Sequence, residues 1–293
     1  MWRCAGLRWS AEGPVLVWDG GRRTALTWGK RVAFGVAEGG GRGCAGARGN
    51  VCPLGAVVPG RSTGGRCEEC ARLDRVHSVA ADTIADDPRP YRVYLAWFGP
   101  GLVKVGITAL ERGPARLLEQ GAVCFGWLGS GPLMAARRTE ELLRAALRVP
   151  DRIPYAHKRA VRAVLPGTAA ERAAEIEELH GRAVGLRGWP EALTPEPFRA
   201  VDHAGVFGLA EASGAAPPVA EVTELVGGGT VGGELVAAAG PDLHLATARG
   251  VVVLDTRLMS GWGLGPAGDE DRFDLPVRAL RAVAAEGRQD GLF

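Results

Sequence analysis

The chain is predicted to be an α+β protein, with a β-rich N-terminal part, a middle segment in which strands and helices alternate, and a β-rich C-terminal part. Three observations predict this. Short β-branched and aromatic runs bounded by glycine occur toward both ends, a strand, strand, helix, strand, helix succession fills the middle, and no internal repeat is present. At 293 residues, 46% hydrophobic and 23% charged, the chain has ordinary globular usage. Collagen-like, coiled-coil and wholly disordered classes are excluded, and there is length for two or three modest cores. We divide it into residues 1–90, 91–165 and 166–293.

In the first segment, residues 14–18, 24–28 and 31–36 are predicted strands separated by the turn signals Asp19-Gly20-Gly21 and Gly29-Lys30, which suits a small antiparallel meander. Residues 38–66 are rich in Gly and Arg and have neither helical nor strand period, so they stay compact only if cross-linked. Cys44, Cys52, Cys67 and Cys70 offer that link, at the spacing C-x7-C-x14-C-x2-C. Thiolates bind zinc tetrahedrally, and a C-x2-C pair folds back so that both sulfurs reach one ion. The expectation is a structural zinc knuckle, and not a catalytic site, because four sulfurs leave no position for water. His77 is an alternative ligand, four unrelated thiols are the alternative to a site, and Cys4 and Cys124 read as small buried hydrophobes.

Residues 1–10 contain no apolar signal region, and no stretch reaches the roughly 18 apolar residues of a membrane span. The expectation is a cytoplasmic protein without a membrane partner. In such a reducing compartment clustered cysteines point to metal before disulfides.

In the middle segment, residues 91–98 and 102–108 form a predicted hairpin around Gly99-Pro100-Gly101. A short helix over 111–120 carries Pro114 in its first turn, where a missing N–H is harmless. A strand over 122–128 and a helix over about 133–148 follow. On that helix Glu140 shares a stripe with Leu133, Ala136, Leu143 and Leu147 and is expected to face the sheet or its edge, whereas Glu141 sits beside Arg137 and Arg144 as a solvated ion-pair residue.

Arg92-Val93-Tyr94 on the first strand, Lys104-Val105-Gly106-Ile107-Thr108 on the second, Arg116 on the helix and Glu140 on the later helix resemble the GIY-YIG endonuclease core, over about residues 91–150. The resemblance implies that fold and a metal-dependent phosphodiester cleavage. Tyr94 corresponds to the tyrosine that assists deprotonation of the attacking water, and Arg116, with Arg112 as its competitor, to the arginine that stabilises developing charge. Glu140 corresponds to the ligand of a Mg²⁺ or Mn²⁺ ion. Arg92 stands where the motif has its first glycine and Lys104 where it has its second tyrosine; divergent members of the superfamily also read Lys-hydrophobic-Gly-Ile-Thr. Lys104 can neutralise charge, and replaces a tyrosine only if its pKa falls. The whole arrangement, including Glu119-Gln120-Gly121-Ala122 at a helix end, also resembles an uncharacterised bacterial family, a domain of unknown function.

A basic helical stretch is predicted near 155–165. Thr168-Ala169-Ala170-Glu171 has capping-box spacing and opens an acidic helix to about residue 182. Strands are predicted over 219–226, 230–238, 243–248 and 250–255, and a terminal helix over 276–286. Gly227 to Gly233 lacks the ending of a phosphate loop and reads as a flexible turn. His157, His180, His203 and His244 are isolated.

The net charge of +2 conceals balances of +4, +7 and −9 over the three segments. The +7 falls on the middle segment, where a local potential attracts phosphates; the acidic and basic parts facing each other is the alternative. The reading is a nucleic-acid-binding protein, with DNA or RNA as partner and Tyr94, Lys104, Arg116 and Glu140 as its candidate catalytic set. A zinc-stabilised scaffold that recognises a protein or small ligand without catalysis is the alternative.

Overall fold

The computed structural model describes residues 1–10, 12–76, 87–209, 217–269 and 271–280. They divide into two units. The first comprises Met1–Asp87, Leu118–Gln120 and Gly205–Ala279, and the second is described through Pro88–Leu117 and Gly121–Ala204. The three consecutive segments read from the sequence are thus arranged as two units, the first assembled from both ends of the chain. Among the described residues no helix is long and apolar enough to cross a membrane.

The first unit opens with β1 (Trp2–Ser10), β2 (Gly13–Trp18), β3 (Arg23–Ala25) and β4 (Arg31–Val36), then α1 (Glu68–Val76). The later part adds β10 (Ala220–Val222), β11 (Thr230–Ala239), β12 (Asp242–Thr247), β13 (Gly250–Asp255), β14 (Gly263–Gly265) and β15 (Val277–Ala279). They form one ten-stranded sheet in the order β15-β10-β13-β12-β11-β4-β14-β1-β2-β3.

The expected meander is corrected here. An unforeseen strand, β1, pairs with β2, and β2 with β3, but β4 leaves them to lie between β11 and β14, with Val231 opposite Phe34 and Leu264 opposite Val36. Val32, Phe34 and Val36 of β4 are buried, whereas all three residues of β3 are exposed. A strand with a full apolar face needs apolar neighbours, and β11 supplies them. The core joins Trp9, Phe34 and Val36 to Val231, Leu235, Leu245 and Leu254. Trp9 donates its indole N–H to the Gly240 carbonyl at 2.7 Å and stands edge-on to Phe207.

Two further expectations change. Gly232 and Gly233 are strand residues opposite Ala33 and Val32, so only the beginning of the glycine run is turn. Val277–Ala279 is β15, antiparallel to β10, and not the start of a helix, with Arg278 paired to Glu221; residues 281–286 lie outside the described residues.

The second unit contains β5 (Pro90–Trp97), β6 (Val103–Ala109), β7 (Cys124–Pro132), β8 (Thr194–Pro195) and β9 (Val201–Asp202), in the order β6-β5-β7-β8 with β9 also on β7. The helices α2 (Ala115–Gln120), α3 (Leu133–Leu147), α4 (Tyr155–Val161) and α5 (Ala169–Val184) follow in chain order. The predicted helix over 111–120 starts only at Ala115, because Gly113 at φ 46° breaks it from a 3₁₀ turn at Leu110–Arg112. The capping box forms: Thr168 Oγ1 accepts from the Glu171 amide at 3.2 Å, and the Thr168 amide donates to Glu171 at 3.1 Å.

Strand alternation places Arg92, Tyr94 and Ala96 of β5 on one face with their opposite numbers Thr108, Gly106 and Lys104 of β6. A bulge between Val93 and Tyr94 brings Trp127 of β7 opposite Tyr94 and Phe125 opposite Ala96. This face builds a core of Tyr94, Ala96, Phe98, Leu117, Ala122 and Phe125, with Trp127 and Ile153 at its margin.

Candidate metal centre and Lys104 cluster

The Gly- and Arg-rich stretch after β4 doubles back on itself. The Cys44 amide donates to the Ala56 carbonyl at 2.8 Å, and Ala47 and Asn50 exchange two backbone hydrogen bonds. The tight return rests on Gly46, at φ 72°, where a Cβ would overlap the Asn50 carbonyl oxygen. Cys67 immediately precedes α1 and Cys70 lies in its first turn. The four sulfurs thus come to lie within 4.8 Å of one another.

Cys52 Sγ and Cys67 Sγ are 3.8 Å apart. Tetrahedral zinc with bonds of about 2.3 Å sets its sulfurs about 3.8 Å apart, far beyond the about 2.05 Å of a disulfide. The amides of Gly46 and Cys67 both donate to Cys44 Sγ, at 3.4 and 3.2 Å. The amides of Ala56 and Leu54 help hold the Cys52 thiol down at about 6, led by Ala56, while burial pushes Cys70 up to about 12. Main-chain amides favour the Cys52 thiolate and burial disfavours that of Cys70, a cost that a bound cation offsets, and a soft S₄ set with no open position fits structural zinc. Arg42, almost wholly buried, anchors the loop: its guanidinium donates to the carbonyls of Ser260 at 2.7 Å, Arg257 at 2.8 Å and Pro59 at 3.0 Å, and also to that of Ser62. His77 lies outside the described residues.

In the second unit the four residues expected from sequence are placed around Lys104. Tyr94 is buried and its ring crosses Gly106, where an added Cβ would come within 2.5 Å of Tyr94 Cζ. Lys104 Nζ lies 5.7 Å from the centre of that ring and donates to the Asp151 carbonyl at 3.1 Å. Burial, then the Arg116 charge, lower Lys104 to about 8, against the pull of Glu140 and Asp151. Of Arg112 and Arg116, it is Arg116 whose field reaches the amine, with a smaller effect from Arg152. Arg112 is exposed in the preceding 3₁₀ turn.

Glu140 is half-buried, and burial followed by the neighbouring Asp151 raises its pKa. It flanks the buried stripe of α3, which runs through Leu133, Ala136, Thr139 and Leu143. Among the described residues, the four cysteines form the group of three or more Cys, His, Asp or Glu ligands close enough to share an ion. Glu140 has Asp151 as acidic company, but Lys104, Arg144 and Arg137 act on it as well. Among the described residues Glu140 is therefore not part of a group of three or more such ligands.

Sequence reasoning passed over Asp151, which follows α3 by several residues and becomes a partner only when the chain returns to β6. The sequence signal available was Val149-Pro150, where the Val105 amide finds the Pro150 carbonyl at 2.9 Å. It also passed over the association of Arg92, Trp127 and Glu196. Arg92 stacks 4.9 Å from the centre of the Trp127 ring and pairs with Glu196 at 3.2 Å. His180 and His203 are accounted for by main-chain carbonyls, at 3.1 Å to Glu196 and 3.0 Å to Ala122.

No curated protein matches the chain, and no solved structure matches it. A family model spans the cysteine cluster, the whole second unit and the strands as far as β14, and its match over residues 29–264 shows that the chain belongs to the family described as Protein of unknown function (DUF2797).

Proposed function

We propose that this protein binds nucleic acid, with a phosphate seated at Lys104 and Arg116, and that zinc on Cys44, Cys52, Cys67 and Cys70 serves as a structural cross-link. The observation that carries the reading is the pair of like charges. Burial first and the Arg116 charge after it lower the Lys104 pKa, and the Lys104 amine lies 5.7 Å from the ring centre of the buried Tyr94. An oxyanion between two such cations relieves their repulsion and gains charge-assisted hydrogen bonds. Glu140, on the far side of the balance, limits the attraction and orients Lys104. The +7 balance of residues 91–165, which includes Lys104 and Arg116, extends the attraction beyond the pair. The GIY-YIG-like pattern of the same residues supports the same ligand.

The test measures the affinity of labelled single- and double-stranded DNA and RNA at several salt concentrations. Lys104→Gln and Arg116→Gln are each expected to weaken binding several-fold and to flatten the salt slope by roughly one unit for each phosphate left without its cation. Salt-independent binding, or binding indifferent to both changes, overturns the reading. Zinc at about one equivalent per chain in reduced protein is the companion expectation, and less than half an equivalent removes the knuckle.

Phosphodiester cleavage is the second reading, favoured by the depressed pKa of Lys104 beside Tyr94. An amine near 8 is partly neutral at physiological pH and can accept a proton. The measurement is cleavage with added Mg²⁺ or Mn²⁺ by the parent and by Glu140→Ala. Loss of cleavage in Glu140→Ala supports this reading, and equal cleavage by both marks a contaminant.

A further inference from the structure

Trp127 lines a depression of about 230 Å³ together with Glu196, Pro197 and Arg199. That is smaller than the roughly 300–1,000 Å³ of a pocket enclosing a small molecule, so it suits one planar ring of a larger ligand. Its walls are fixed before any ligand arrives. The Trp127 ring is held edge-on by Phe125, with centres 5.0 Å apart, and by Tyr94, at 6.2 Å. Arg92 stacks on Trp127 and is itself held by Glu196.

The strap carrying Glu196 to Arg199 is seated on β7 by glycines. A Cβ on Gly126 would meet the Phe198 ring at 2.9 Å, one on Gly129 the Thr194 carbonyl at 2.7 Å, and one on Gly131 would overlap the Ala192 carbonyl. The Glu196 amide donates to Leu128 at 2.9 Å, fixing the strap in height. These glycines lie opposite Tyr91, Val93 and Leu95, so they fix the strap from the sheet face away from Trp127, and a fixed strap lowers the entropy lost on binding.

We infer that this depression is a stacking subsite for one base of a single-stranded nucleic acid. The inference rests on the nucleic-acid reading above. Tyr94 is the ring that joins the two places: it stands edge-on to Trp127 and lies 5.7 Å from Lys104, so the subsite and the phosphate site are one buried side chain apart. Every base has a π-face, so the ring accepts any of them, while Arg92 and Arg199 attract the adjoining phosphates. The Glu196 carboxylate accepts from a base N–H at the rim. Bases paired within a duplex cannot enter a depression of this size, so the subsite selects single strands.

The experiment measures binding of fluorescein-labelled eight-nucleotide single strands to the full zinc-loaded chain without added Mg²⁺ or Mn²⁺, with one abasic nucleotide moved through each position in turn. Expected is a loss of roughly 5- to 150-fold at one position, the worth of one base–aromatic stack. Trp127→Ala is expected to lose the same factor on the intact strand and to be insensitive to the abasic nucleotide, whereas Trp127→Phe retains most of the affinity. A parent protein indifferent to every abasic position overturns the subsite whatever the variants do. If affinity then still depends on Lys104 and Arg116, the phosphate reading stands alone. Dependence on base occupancy and Trp127 without dependence on Lys104 or Arg116 leaves the subsite and removes the phosphate site. Absence of binding to any strand overturns both.

Discussion

Lys104 shows how one side chain can weaken a fold while preparing it for a ligand. Its side chain is partly buried and its amine, desolvated by that burial and repelled by Arg116, is lowered from 10.5 to about 8. Between those values the folded chain binds fewer protons than the unfolded one, so stability rises with pH there. The cost of the buried cation is present in full below about pH 8 and is relieved as pH climbs toward 10.5. It is on the order of 2–3 kcal/mol. Lys104→Met is accordingly expected to raise the denaturation midpoint at pH 7 while abolishing phosphate binding at this position, with the gain shrinking by pH 10. Equal destabilisation at both values would show that the hydrogen bond to Asp151 outweighs the desolvation. Tyr94, Lys104, Arg116 and Glu140 were legible in the sequence because short motifs on adjacent elements name them. Trp127, with Trp97, Phe98 and Phe125, could be read from the sequence as a middle-sheet aromatic able to stack bases, but Asp151 and Glu196 could not, since no local pattern says which residues a returning chain lays beside a strand.

Among the elements, hairpin geometry and glycine placement explain why the site has its shape. Directly opposed residues of β5 and β6 share a face, and Gly106 leaves the space that the Tyr94 ring fills. Gly106→Ala should displace that ring and cost about 1–3 kcal/mol. Placed in a Tyr94→Ala background, the same change should cost far less, and a double-mutant cycle by chemical denaturation measures the difference. Additive effects would mean that the ring does not depend on the glycine. The elements themselves were mostly readable. β4 and β13 fall on the predicted residues 31–36 and 250–255, and Thr168 caps α5 through the expected box. β1 was not readable, because glycine at position 6 and arginines at 3 and 8 dilute its apolar alternation, and its pairing with β2 and β14 is what makes it a strand.

For the molecule as a whole, the order of strands sets what can fold alone. β4 lies between β11 and β14, so the N-terminal residues have no complete core without the later strands. A fragment of residues 1–87 is expected to lack a cooperative thermal transition even with zinc added, whereas a fragment of residues 88–204, which contains β5 to β9 and its helices, is expected to show one. Cooperative folding of the first fragment by itself would contradict the dependence of β4 on β11. The α+β class, the positions of most strands and helices, the four clustered cysteines and the motif residues of the second unit all follow from the order of residues alone. Each of these depends on local periodicity, capping chemistry or short spacing, and such signals survive in a linear string. It took the packed chain to establish that strands from its two ends share one sheet and that Asp151 and Trp127 flank the motif residues. Those outcomes depend on pairings across tens to hundreds of residues, selected by which apolar faces can cover one another, and no local stretch of sequence records that choice.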